Sequence, residues 1–210
     1  MSGPRYLAIV GGADRAGGGL DAAARERLTG VFESLNLELA GAIASRFAFA
    51  DAGLFQALLH RPGAVVDALV MLQDETRSRG LAYGLGWGTI TAPLRVVARG
   101  LDGPCLDAGR AALDRAREER RRVSCRGWGV RRDRALDGLF ALLTAVRDGW
   151  TGRQAEIVTR ARAATTQREA AALLGVSPSV VCEALASARY REVLAAEESA
   201  RQLLEVFAEG

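Results

Sequence analysis

Residues 81–91 read LAYGLGWGTIT, an apolar run in which glycine recurs at every second position, at Gly84, Gly86 and Gly88. Side chains alternate faces along a strand, so this period of two puts all three glycines on one face. A sheet with such a bare stripe has to be met there by something flat or closely packed. A helix laid directly on the strand is the simpler solution, and a nucleotide base lying on the stripe is the alternative.

The segments around this strand give it a sheet to belong to. Tyr6–Val10 (YLAIV) reads as a short buried strand followed by a glycine-rich turn, GGADRAGGG. Asp21 is placed to cap a helix running to about Leu39, with Leu28, Val31, Phe32, Leu35 and Leu39 at helical spacing. SRFAFA and LFQALL, separated by DAG, form a hairpin pattern. Pro62 opens a helix to about Ser78, DGPCLDAGRAALDRAREE makes a turn and helix, and RRVSCRGWGV makes a last strand. The expected order is β-α-β-β-α-β-α-β, an α+β fold with helices packed on a mostly antiparallel sheet. Strand signals end near Arg134, so the expected domains are 1–131 (α+β) and 132–210 (all-helical).

Composition excludes much chemistry. The 210 residues hold 49% hydrophobic and 25% charged side chains, the balance of a globular domain. No apolar run approaches the ~18 residues of a membrane span, and the N-terminal apolar stretch is too short for a secretory signal, so a cytoplasmic protein without a membrane role is expected. Cys105, Cys125 and Cys182 make neither a disulfide framework nor a thiolate zinc site. His60 is the single histidine, which removes histidine triads and multi-histidine metal sites. The glycine-rich turn matches neither phosphate-loop pattern and contains no lysine. No metal or cofactor is expected.

Every basic side chain is Arg, and nine of the 28 fall between Arg115 and Arg134, including Arg120, Arg121 and Arg122, against three acids. Such a block reads either as a phosphate contact or as a solvated helix end and hairpin.

The clearest motif lies in TTQREAAALLGVSPSVVCEALASARYREV. Thr166 is placed to cap a helix with Ala170, Ala171 and Leu174 inside, Gly175 to make a tight turn, and Ser177 to cap the next helix, with Val181 and Leu185 facing back. With GRQAEIVTRARAA before it, this is a trihelical helix-turn-helix pattern over about 152–191, whose second helix would enter a major groove. That helix offers Ser177, Ser179 and Glu183 and no side chain suited to bidentate base contact. Arg153, Thr165, Gln167, Arg168, Arg189 and Arg191 are the candidates for gripping phosphates. A protein-docking role for the same unit is the alternative, as is docking through the apolar positions of the last helix, Val193, Leu194, Leu203, Leu204, Val206 and Phe207.

Taken together, YLAIVGG, FQALL, YGLGWGTIT, LDGPCLDAGRAAL and WTGRQAEI…TTQREAAALLGVSPSVV resemble the SatD family over nearly the whole chain. That resemblance implies a nucleotide-cyclase-like (ferredoxin-like) α+β domain with a C-terminal helix-turn-helix, and a transcriptional regulator that binds double-stranded DNA, as a homodimer on the argument that one weak contact set needs doubling. The family has Asp or Glu where this chain has Gly12, Gly53 and Leu54. In cyclase-like folds such carboxylates hold the metal ions that bridge nucleotide phosphates. The expectation is therefore a non-enzymatic protein, with Asp14, Asp51 and Asp102 left as a weak residual ligand set.

Overall fold

The computed structural model describes residues 3–14, 19–75 and 80–209. Among these the chain is α+β, with one five-stranded mixed sheet and eight α-helices. The elements are β1 (Arg5–Ala13), α1 (Ala22–Glu38), β2 (Ile43–Phe49), β3 (Leu54–Leu59), α2 (Val65–Glu75), β4 (Leu81–Thr89), α3 (Pro104–Glu118) and β5 (Val123–Arg126). Five helices follow: α4 (Val130–Asp148), α5 (Gly152–Ala163), α6 (Gln167–Leu174), α7 (Pro178–Ser187) and α8 (Tyr190–Glu209).

The sheet runs β2-β3-β1-β4-β5. Contacts among the first four strands are antiparallel, and β5 joins β4 in parallel. β1 takes the centre because Leu7–Val10 are apolar without a break and can be buried on both faces. It is also longer than the sequence pattern indicates. Gly11 and Gly12 pair with Phe55 and Leu54 as strand residues instead of opening a turn. The Phe55 ring lies over Gly11 where a side chain would stand, so a glycine lets this cross-strand pair close. Of the turn itself, residues 15–18 lie outside the described residues, as do 76–79 at the expected end of the second helix.

The glycine stripe is covered by α3. A Cβ at Gly84 would meet the backbone at Gly109 and Leu113, and one at Gly86 would meet Cys105 and Gly109. The stripe is buried under a helix and offers no bed for a base. On the opposite face, Phe32 of α1 packs against Phe47, Phe49 and Phe55 at ring separations of 5.8, 5.1 and 5.1 Å. The edge strand β2 is shielded by the segment after β4. Arg46 N donates to Val96 O, Ala98 N donates to Arg46 O, and Gln56 Nε2 reaches Ala98 O at 2.7 Å.

Two compact units result, residues 1–141 with 200–210, and residues 142–199. The division falls inside α4, ten residues beyond the boundary read from sequence, and again inside α8. The reason is packing. Leu136 and Phe140 of α4 are core residues, and the end of α8 is tied to the first unit by Arg201–Asp67 (2.6 Å) and by Glu205, whose carboxylate accepts from Gly63 N (2.8 Å). Leu204 is buried and Leu203 and Phe207 are half-buried, so much of this helix's apolar face is already used within the chain. No single helix among the described residues is long and apolar enough to cross a membrane.

Candidate nucleic-acid interface

The second unit is built around a turn. Thr166 caps α6 by accepting from Glu169 N (3.2 Å), and the Glu169 carboxylate accepts from Thr165 N in return (2.8 Å). Gly175 then takes φ 64°, ψ 33°, a left-handed conformation that glycine adopts at no steric cost. Ser177 caps α7 through Val180 N and shares a 2.8 Å hydrogen bond with Ser179. Across this short break α6 and α7 are bent by 106°. Ala171, at 2% exposure, lies at the crossing, and Ile157, Val158, Val181 and Leu185 close the core beneath.

One face of α7 is left to solvent, carrying Ser179, Val180, Cys182, Glu183, Ala186 and Ser187. Glu183 is its only charge. Around it in sequence stand neutral Gln167 and the cation Arg168, both exposed in the first turn of α6, with Arg189 just past α7 and Arg191 in the first turn of α8. Arg153 pairs with Glu156 (2.7 Å), and Arg189 lies 3.9 Å from Glu192. Arg168 and Arg191 carry no ion pair among the described residues.

Sequence reasoning missed the ionic centre of this unit. Glu197, 1% exposed, receives Arg162 through two hydrogen bonds and Arg147 through a third at 3.2 Å. Residues from α4, α5 and α8 meet there, and no local pattern announces them. Two of the unit's seven Arg are thus used internally, and seven acids balance the seven.

The arginine block divides on folding. Arg115 is built into the first unit, donating to Ser124 Oγ (2.8 Å), Cys125 O (2.8 Å) and Asp137 Oδ2 (2.6 Å). Burial raises the Asp137 carboxyl above its ordinary range, against the opposing pull of Cys125 N–H and Arg115. Arg117 donates to Ala13 O (2.9 Å). Arg121 pairs with Glu119 (2.9 Å), Arg120 is exposed with φ 54°, and Arg122 is half-buried at the start of β5. Arg126 is exposed at the other end of that strand, and Arg131 and Arg134 are exposed beyond it.

Of the residual acidic set, Asp14 follows β1 and Asp51 opens the hairpin at the same end of the sheet, where its carboxylate accepts from Gly53 N (2.7 Å) and Leu54 N (2.8 Å). Asp102 lies at the other end, its carbonyl bonded to Thr91 N and its carboxylate to Arg110 (3.1 Å). The nine residues of β1, Arg5 to Ala13, separate them by roughly 26 Å, so the three do not form one site. Gly12, Gly53 and Leu54 do converge. A Cβ at Gly12 would stand 2.7 Å from Gly53 O and 2.7 Å from Arg117 Nη2.

Comparison with known families, with curated proteins and with solved structures finds no match to this chain.

Proposed function

We propose that this chain is a non-enzymatic regulator that binds double-stranded DNA as a homodimer, through a helix-turn-helix formed by α5, α6 and α7. The observation carrying this reading is the 106° bend of α6 and α7 about left-handed Gly175, with the outer face of α7 exposed to solvent. In it, Ser177, Ser179 and Glu183 meet base edges, Glu183 accepting from a cytosine amine, while Thr166, Gln167, Arg168, Arg189, Arg191 and Arg153 contact phosphates. Arg120, Arg121 and Arg122 add neutralisation from the first unit.

The first unit is a ferredoxin-like, nucleotide-cyclase-like domain serving dimerisation or ligand sensing. The antiparallel β2-β3-β1-β4 order supports this reading. Its non-enzymatic character is supported by the guanidinium of Arg117 beside Gly12, a cation where such folds need hard oxygen ligands. Capture of sheared genomic DNA by the purified protein at ~150 mM salt tests the function, because non-specific contacts weaken steeply there. A recurrent enriched site supports it. Absence of enrichment overturns it in favour of a protein-docking role for the same unit. The cation-free face of α7, with Val180 42% exposed, favours that second reading.

A further inference from the structure

After β4 the chain turns back along β2 and makes one parallel bridge, Val97 beside Arg46. Arg46 N donates to Val96 O (2.8 Å) and Ala98 N donates to Arg46 O (3.1 Å), so both bonds use the neighbours of Val97. In a parallel ladder such a residue turns its own N–H and C=O to the far side. Neither group of Val97 has a hydrogen-bond partner among the described residues. The sheet ends on this side in an open edge, and the edge is apolar. Leu94, Val96 and Val97 are 46%, 71% and 43% exposed.

The charge around this edge has one sign. Arg46, Arg95 and Arg99 are exposed and carry no ion pair among the described residues, and Arg99 spends only Nε, on Phe49 O (3.1 Å). Residues 39–50 and 92–101 contain no acid. The acids bordering these stretches are engaged elsewhere, Asp51 with Gly53 N and Leu54 N, Asp102 with Arg110.

We propose that this edge takes up an extended acidic segment of another protein as an added strand. Val97 supplies the backbone donor and acceptor, and Leu94 and Val96 supply apolar contact. In an antiparallel register the ligand residues two before and two after the one paired with Val97 come opposite Arg99 and Arg95, where carboxylates are favoured. A second copy of this chain does not fit. A two-fold axis at Val97 would set Arg95 of one copy against Arg99 of the other, so the charges that guard the edge against its own kind select an acidic partner. A nucleic-acid backbone would leave Leu94, Val96 and the Val97 backbone pair without partners. The site lies wholly in the first unit and is independent of the DNA reading.

Backbone amide NMR of the whole isotope-labelled protein tests it, by titration with the capped peptide Thr-Glu-Thr-Val-Thr-Glu-Thr. Saturable shifts at 94–99 and in β2, with slowed exchange of the Val97 amide, are expected. The same peptide with Lys for Glu binds about tenfold more weakly. The double variant Arg95→Glu, Arg99→Glu reverses that preference, which a misfolded protein would not do. Shifts that fall elsewhere, a Val97 amide exchanging as fast with peptide as without, equal binding of the two peptides, or an unreversed preference overturns the proposal. Shifts at 94–99 given by an oligothymidylate and not by the Glu peptide overturn it in favour of a nucleic acid. Protection of Val97 in the protein alone, at the mass of two chains, overturns it in favour of a second copy.

Discussion

Arg162 meets Glu197 face to face, Nη1 to Oε2 at 2.9 Å and Nη2 to Oε1 at 2.7 Å, with Glu197 1% exposed. Arg147, 7% exposed at its side chain, bonds the same carboxylate. Removing the carboxylate takes from both guanidiniums the buried anion they share, the costly way to break a buried pair. Glu197→Ala is expected to destabilise the unit of residues 142–199 by about 3–5 kcal/mol. Hydrogen exchange localises the effect. Amides of α5, α6 and α7 lose protection while β1 and β4 keep theirs, and protection that falls equally in both units would contradict the assignment.

Gly86→Ala puts a methyl group into the backbone of α3 at Cys105 and Gly109, where no rotamer change relieves it. A loss of roughly 3 kcal/mol or more in denaturant unfolding is expected, because the helix has to lift off the sheet. Gly30→Ala supplies the contrast. Gly30 lies in α1 with nothing near its missing side chain, so alanine there stabilises by up to about 1 kcal/mol. Equal effects at the two sites would refute the steric account.

The stripe was legible because it depends on nothing beyond strand period and sterics. The caps Asp21, Thr166 and Ser177 were legible for a similar reason, since a cap and its helix are separated by only three residues. Other features need distant parts of the chain. Gly63 stands against Glu205, 142 residues away, and Arg115 resembles its neighbours in the arginine block until Asp137 is brought to it. Gly11 and Gly12 read as a turn because glycine pairs are common in turns, and only the Phe55 ring over Gly11 and Gly53 O and Arg117 against Gly12 explain glycine at these strand positions. Gly12, Gly53 and Leu54 stand out in the sequence only through the SatD resemblance, and neither their approach to one another nor the guanidinium beside Gly12 is legible there.

The three thiols should separate sharply by reactivity. Burial pushes Cys105 up to about 11 and holds Cys125 well above its usual range, whereas Cys182 is exposed on α7. Alkylation of the folded protein at pH 8 is expected to mark Cys182 alone. The same shift makes stability fall in alkali. Below pH 9.0 the Cys105 thiol is protonated in both states, and between 9.0 and about 11 the unfolded chain ionises first, costing about 3 kcal/mol across that window. A Cys105→Ala variant flattens that part of the denaturant midpoint against pH. Rapid labelling of two thiols in the folded state would show α3 to be looser than its contacts indicate.

If α6 and α7 meet a duplex, the unpaired Arg168 and Arg191 are the first cations available to phosphate. Each phosphate contact releases counterions, so Arg168→Ala with Arg191→Ala should flatten the slope of log K against log salt by about 1.8. The triple Arg120→Ala, Arg121→Ala, Arg122→Ala variant flattens it further only if the first unit also reaches the backbone. Glu183→Ala acts in the other direction, removing the sole negative charge from the outer face of α7 and tightening non-specific binding. At a cognate site it relaxes preference where cytosine donated its amine. A salt slope indifferent to Arg168 and Arg191, with Glu183→Ala neutral as well, would take α7 out of the groove.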